Sequence, residues 1–234
     1  MNETRSRAYE TYVSSHQGDV AGGGRVIDFQ TNFLHLLPSE SDIRILDVGC
    51  GQGVMLQVLK DAGYTSAIGI DTSPEQIQLA HEAGLSSARC DDLFAYSQSG
   101  TEPFDVVLAI DFVEHFDRAE VLDVFEALYG LLAEGGRLIV RTPNGSSPYS
   151  GRIQFSDITH GVIYTERSLQ QISSLVGFSR LNVYPAIPTG RRLGAVRRML
   201  WRVAEAIIKI PLIIETGKLK GHIVTQNLIA VVTR

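Results

Sequence analysis

Short apolar runs that stop at a polar residue punctuate the first two thirds of this chain. Ile45-Leu46-Asp47-Val48, Ala67-Ile68-Gly69-Ile70-Asp71, Ala88-Arg89-Cys90, Phe104 to Ile110 and Arg137 to Arg141 each have the length of a strand. The run from Phe104 to Ile110 is nearly continuous, as expected of a parallel strand buried on both faces. Between the runs the period changes to that of helices. Val54 to about Ala62 is helical and closes at Gly63, a residue suited to a C-cap. Pro74 to about Glu82 opens on Thr72-Ser73-Pro74 and closes at Gly84, and Ala119 to Leu132 is strongly helical ahead of the turn at Glu134-Gly135-Gly136. Further along, Glu166 to Leu175 reads as a helix closed by Gly177, and strands follow at Ser179 to Tyr184 and from about His222 to Val232. An earlier helix spans Val26 to Leu37 and stops at Pro38. Strands alternating with helices predict a doubly wound α/β fold on a parallel sheet, whose ligands bind outside the carboxyl ends of the strands. Asp47, Asp71, Asp91, Asp111 and Asn144 all stand at those ends.

Three further stretches complete the organisation. Residues 1–24 are polar and end in Ala21-Gly22-Gly23-Gly24. Tyr9, Tyr12 and His16 fall at i, i+3, i+7, so one helical face presents all three, either to the core or to a ligand as a lid. Residues 1–40 are accordingly expected to form an N-terminal helical lid and 41–234 the main domain. Within that domain Ser146 to Thr165 is a long polar insertion, and a loop of that length is usually functional. Residues 190–210 predict a basic amphipathic helix with the stripe Leu193, Val196, Leu200, Val203, Ile207 and Ile210, flanked by Arg191, Arg198, Arg202 and Lys209. That stripe suits packing on the sheet or on a second subunit, or else contact with an anionic membrane surface.

Composition narrows the function classes. With 234 residues, 44% of them hydrophobic, one domain with a substantial core is expected. A net charge of −5 argues against a general nucleic-acid binder. Cys50 and Cys90 form neither a disulfide framework nor a zinc spacing. The first residues lack a signal-peptide core and no apolar run is long enough to span a bilayer, so the expected location is the cytoplasm.

The chemistry gathers at Asp47-Val48-Gly49-Cys50-Gly51-Gln52-Gly53, where three alternate glycines join a strand to a helix. Glycines there let backbone approach a ligand, and the free N–H groups of a helix start favour an electron-rich group. The spacing is G-x-G-x-G, not the dinucleotide G-x-G-x-x-G. Asp71, about two dozen residues on, stands where an acid can accept hydrogen bonds from both hydroxyls of a ribose, with Thr72 beside it. Asp91 and Asp92 suit either a turn cap or an exocyclic amine.

Taken together and in order, Leu46 to Gly53, Gly69-Ile70-Asp71, Cys90-Asp91-Asp92-Leu93, Asp105-Val106-Val107 with Glu114-His115, and Leu131-Leu132-x-x-Gly135-Gly136 resemble the class I S-adenosylmethionine-dependent methyltransferases. The resemblance implies a Rossmann-like seven-stranded sheet of order 3-2-1-4-5-7-6 with strand seven antiparallel. It implies S-adenosylmethionine as cofactor and S-adenosylhomocysteine as product. It places Asp47, Gly49, Cys50, Gly51 and Gly53 in the cofactor loop and Asp71 and Thr72 at the ribose. Asp91, Asp92 and Leu93 fall at the adenine, and Ile110 and Asp111 beside the methionine moiety. The insertion, with Asp157-x-Thr159-His160, is similar to small-molecule O-methyltransferases of the ubiquinone-biosynthesis and sugar-modifying type. That implies a small-molecule acceptor and no nucleic acid, with a hydroxyl of a sugar, glycolipid or polysaccharide precursor preferred and a phenol or quinone precursor as the alternative. His160 and His115 are the candidate bases, His160 preferred with Asp157 orienting it or meeting substrate, because histidine titrates near neutrality. Tyr9, Tyr12 and His16 are expected to close the acceptor pocket. Asp111 and Asp157 lack the tight ligand spacing of a divalent-cation site, so no metal is expected. A nicotinamide dehydrogenase is disfavoured by the glycine spacing and by the lack of a clear Tyr-x-x-x-Lys pair. A DNA amino-methyltransferase is disfavoured because Asp111-Phe112-Val113-Glu114 stands where such enzymes carry a Pro-Pro-aromatic sequence. A non-catalytic cofactor-binding protein remains as a rival.

Overall fold

The structure is a computed structural model, and it describes residues 23–190 and 194–234. The lid residues Tyr9, Tyr12 and His16, and Arg191 and Leu193 of the basic helix, lie outside these. In chain order the elements are α1 (Gly23–Asn32), β1 (Ile45–Val48), α2 (Val54–Asp61), β2 (Ala67–Asp71), α3 (Pro74–Glu82), β3 (Ala88–Cys90), α4 (Leu93–Ser97) and β4 (Phe104–Ile110). They continue as α5 (Val121–Gly130), β5 (Leu132–Pro143), α6 (Ser150–Gln154), α7 (Glu166–Val176), β6 (Arg180–Pro185), α8 (Gly194–Thr216) and β7 (Asn227–Thr233). The seven strands form one sheet in the order β3-β2-β1-β4-β5-β7-β6, and β7 runs antiparallel to both of its neighbours. This is the expected architecture.

Alternation along β4 explains why the sheet sits at the centre. Val107 and Ala109 point into a core built with α4, α5 and α7, while Val106, Leu108 and Ile110 point into a second core built with α1 and α2. All five are buried. After Asp105, which accepts from Arg44 N–H at the start of the strand, β4 carries no polar side chain, and the next one is Asp111 just past its end. Helix starts are set by local chemistry. Ser73 caps α3 by accepting from Gln76 N–H, and Thr165 and Ser168 form a reciprocal capping box at α7, which closes at Gly177 with φ +101°.

Two expectations are corrected and one element is added. Strand β5 begins at Leu132 rather than Arg137, because Gly135, at φ +73°, lets the chain bulge and keep pairing, and the register with β4 shifts between Phe104 and Val106. The helix before it therefore ends at Gly130. Residues 93–97, to which the pattern assigns no element, form α4 because Asp92 accepts from the backbone of Phe94 and Ala95. The stripe of α8 does not pack on the sheet. Val196, Leu200, Val203, Ile207 and Ile210 are each about half exposed, and the helix buries no residue fully. No helix among the described residues is long and apolar enough to cross a membrane.

The β5 bulge is sensitive at one atom. A Cβ on Gly136 would lie 2.8 Å from Ala133 O and 3.0 Å from Phe104 O, both backbone and unable to yield cheaply. Gly136→Ala is therefore expected to cost about 1–3 kcal/mol, read as a lower urea midpoint with an unchanged slope.

Candidate functional site

The carboxyl ends of β1, β2, β3 and β4 and the insertion after β5 enclose one cleft of about 400 Å³. That volume lies within the range of small-molecule and cofactor pockets, about 300–1,000 Å³. Its lining includes Asp47, Gly49, Cys50, Gly51, Asp71, Thr72, Asp91, Asp92, Leu93, Ile110, Asp111, His115, Asp157 and His160. Residues as far apart in sequence as Asp47 and His160 thus meet on one surface. Gly53 is not among the lining residues. It begins α2, and its Cα faces Leu85 and Ala80, so it serves the turn and not the cleft. Asn144 is likewise spent elsewhere, donating to Ile223 O (2.8 Å) and Thr225 O (2.9 Å) and so tying the insertion to the approach of β7.

The glycine loop is held open by an acid across from it. Asp71 accepts from Gly51 N–H (2.9 Å) with one oxygen and from Ser73 N–H (2.8 Å) with the other. Gly49, Gly51 and Gly53 all have positive φ, which L side chains rarely tolerate. Each Asp71 oxygen retains a second lone pair for a ligand. Burial raises the Asp71 carboxyl, opposed by the two N–H donors. Asp47, behind the loop, is pushed up to about 7, first by burial and then by Asp71, with Arg25 opposing. At the adjacent strand end Asp91 accepts from Asp92 N–H (2.9 Å), and Asp92 spends its own Oδ1 on the start of α4.

Asp111 is the one non-glycine residue with positive φ (+54°) among those described. Backbone of that kind persists when its surroundings hold it. Here Asp111 N–H donates to Arg141 O (3.0 Å), and Arg141 Nε donates back to Asp111 Oδ1 (2.8 Å) while a terminal nitrogen meets the second oxygen. The other terminal nitrogen of Arg141 pairs with Asp28 of α1, and the guanidinium lies 5.3 Å from the ring centroids of both Phe29 and Phe33. Burial works to raise the Asp111 carboxyl, but Arg141 overcomes it and holds the group below its ordinary value. Neither Arg141 nor Asp28 was singled out from the sequence. A basic residue inside an apolar strand at the cleft edge is the signal that points to such a pair.

Another wall of the cleft is built by the turn after β4 and the insertion. Gly161 N–H and Val162 N–H both donate to Glu114 O (2.8 and 3.2 Å), and the Tyr164 hydroxyl donates to Val113 O (3.2 Å). These bonds bring His160 beside His115, with ring centroids 4.9 Å apart. Asp157, expected behind His160, instead reaches His115 through Thr159. Thr159 N–H and hydroxyl both donate to Asp157 Oδ1 (2.8 and 2.6 Å), and the hydroxyl lies 2.7 Å from His115 Nδ1. His160 Nδ1 sits 3.2 Å from Ile153 O. The His115 imidazole is lowered to about 4, by burial first and then by His160, with Asp157 and Asp111 opposing. Burial and then Asp111 push the Glu114 carboxyl well up.

Removing Arg141 leaves Asp28 and Asp111 without their shared cation. Arg141→Met is expected to lower stability by about 3 kcal/mol, the low end for breaking a buried pair because Asp111 keeps a third of its side-chain surface. Asp111 titrates below its unfolded value, near 3.9, so the stabilisation is complete above that pH and is lost as pH falls through the folded value. Urea unfolding at pH 7 and pH 3 is expected to show the wild-type advantage shrinking at acid pH.

Comparison with known proteins follows the geometry. A family model described as a methyltransferase domain matches residues 25–183. The ubiquinone biosynthesis O-methyltransferase of Caulobacter sp. (strain K31) is 34% identical over 110 residues, which is 44% of this chain and 41% of that protein. The enzyme of the same name from Xylella fastidiosa (strain 9a5c) is 36% identical over 113 residues, 44% of this chain and 43% of that protein. The match thus spans less than half the length of these relatives. A crystal structure of a SAM dependent methyltransferase from Archaeoglobus fulgidus superposes with a TM-score of 0.68 at 20% identity, covering 98% of this chain and 99% of that one.

Proposed function

This chain belongs to the methyltransferase domain family, and from that premise we propose that its cleft binds S-adenosylmethionine and transfers the methyl group to an aromatic hydroxyl of a small molecule. The observation that carries the reading is the meeting of Asp71 and the glycine loop with the histidine-bearing insertion in one cleft. The remaining lone pairs of Asp71 suit a ribose diol. Asp91 and Leu93 suit the adenine, and the Gly49–Gly51 backbone, free of Cβ atoms, suits the methionine part. His115 and His160 face the acceptor. Asp157 acts through Thr159 on His115. Of residues 1–40, expected as a lid, 23–37 pack into the core beneath β4 and belong with 41–234 in our candidate catalytic domain.

The acceptor class rests on the relatives. Those named above are O-methyltransferases of ubiquinone biosynthesis, which favours a phenol or quinone precursor over the sugar hydroxyl expected from the insertion's residues. The sulfonium methyl is already activated, so the protein's task is alignment and charge. Holding both reactants in line can supply several kcal/mol of the barrier.

Calorimetric titration is the test. S-adenosylmethionine and S-adenosylhomocysteine are expected to bind the wild type with one site. Asp71→Asn, which keeps the shape but turns one acceptor oxygen into a donor, should weaken both by about tenfold or more, since hydrogen bonds to charged groups contribute about 1.5–3 kcal/mol. Binding of neither compound by folded protein would overturn the reading. A screen of dihydroxylated aromatic acids against sugar nucleotides then reads the acceptor class, with turnover only on the latter overturning the aromatic assignment.

Asp47 supplies a pH signature. Its carboxyl, raised to about 7, gains negative charge as pH rises through that value. The sulfonium cation gains attraction from this and the neutral thioether of the product does not. The ratio of S-adenosylmethionine to S-adenosylhomocysteine affinity is therefore expected to rise severalfold between pH 6 and pH 8 in the wild type, and to stay flat in Asp47→Asn.

A further inference from the structure

We propose that helix α8 docks this protein on an anionic lipid bilayer, lying in the plane of the headgroups with its outward stripe in the acyl boundary. This does not depend on the methyl-transfer reading. Val196, Met199, Leu200, Val203, Ile207, Ile210 and Ile214 are each 47–79% exposed. A helix turns about 100° per residue, so all seven fall within an arc of about 100°, and the stripe runs for about 27 Å. Trp201, Ala204, Ile208 and Leu212, on the other side, are partly buried. The helix is thus seated on the protein by one face and presents a continuous apolar face to its surroundings. It is not long and apolar enough to cross a membrane, which leaves the surface of one.

Charge selects the occupant. Gly194 to His222 holds six basic residues, Arg197, Arg198, Arg202, Lys209, Lys218 and Lys220, against Glu205 and Glu215, in a chain whose net charge is −5. An anionic surface therefore attracts this segment and repels the acidic remainder, which sets an orientation. Arg198, Arg202 and Lys209 fall on one flank of the stripe, where basic side chains can lay their stems along an apolar boundary and keep their charges among lipid phosphates. A second copy seated on the stripe is a poorer match, because the helix offers two acids and Glu205 already pairs with Lys209 at 2.7 Å.

Both ends of α8 meet parts that build the cleft. Arg197 donates to Thr189 O (2.7 Å), and the Thr189 hydroxyl donates to Asp28 (3.2 Å), which pairs with Arg141. Near the other end, Leu212 lines a small cavity with Asn144, Ser146 and Glu166, at the two roots of the insertion. A bilayer under α8 would therefore hold the cleft close to the lipid surface.

Co-sedimentation of the full chain with vesicles tests this, using phosphatidylcholine alone and phosphatidylcholine mixed with one-third phosphatidylglycerol. Binding is expected to the mixed vesicles, at least tenfold weaker to the neutral ones, and to fall as salt is raised. Leu200→Glu with Ile207→Glu, and separately Arg198→Gln with Arg202→Gln, should each weaken binding to the mixed vesicles by at least tenfold. These side chains are exposed, and circular dichroism with urea unfolding checks that both variants fold. The chain's one tryptophan is Trp201, so Met199→Trp in a Trp201→Phe background moves the fluorophore onto the stripe, and its emission should shift to the blue on the mixed vesicles. Wild type left in solution beside the mixed vesicles would overturn the proposal, as would equal affinity for both vesicles or wild-type affinity in both variants. Unchanged emission from vesicle-bound Met199→Trp would also overturn it. A dimer in sedimentation velocity that Leu200→Glu with Ile207→Glu dissociates, without vesicle binding by the wild type, would assign the stripe to a second copy instead.

Discussion

The pair between Arg141 and Asp111 joins the ends of the two central strands at the floor of the cleft. β4 is buried on both faces, so its chain must turn sharply where the apolar run ends, and Asp111 takes that turn at positive φ. Arg141 makes the turn stable by holding the carboxylate from the next strand, and its remaining nitrogen carries the order outward to Asp28 on α1. Two phenylalanines of the same helix flank the guanidinium. One buried cation thus sets the position of a cleft acid and of the helix that follows the N-terminal segment. A pair of this kind is costly to desolvate, and here its geometry fixes where the chain after β4 can go.

What the chain after β4 does next shapes another wall of the cleft. Glu114 O receives two N–H groups from the insertion, which ties the turn and the insertion into one wall. The short separation of His115 and His160 depends on that wall. Burial then acts in opposite directions on its members, raising the Glu114 carboxyl and lowering the His115 imidazole. Such opposed shifts concentrate where a protein prepares chemistry. On the cofactor side, Asp71 orders the glycine loop through its Oδ2 bond to Gly51 while keeping acceptor capacity toward the cleft. A single carboxylate therefore orders the loop and, in the reading we propose, receives the ribose.

The methyltransferase assignment and the cleft at the strand ends are consistent with the reading we propose, its aromatic acceptor included. Helix α8 stands apart from both. Its apolar stripe faces outward beside Arg197, Arg198 and Arg202, and its inner face is only half buried. The stripe that the sequence offers to the sheet is instead a surface.

Much of this protein is legible in its order of residues. Apolar runs of strand length, each closed by a polar residue, determine the sheet and its cleft edge, because a strand buried on both faces keeps most of its polar side chains at or near its ends. The glycine loop, Asp71 and the adjoining acids are local, and local spacing exposes them. Arg141 with Asp28, and Glu114 with His160, are not local. The first pair spans 113 residues of sequence, and the second is joined only when the insertion folds back onto the turn after β4. Their partners, their protonation and the outward direction of the α8 stripe depend on which surfaces meet in space. Periodicity specifies a face, but only tertiary packing decides what that face touches.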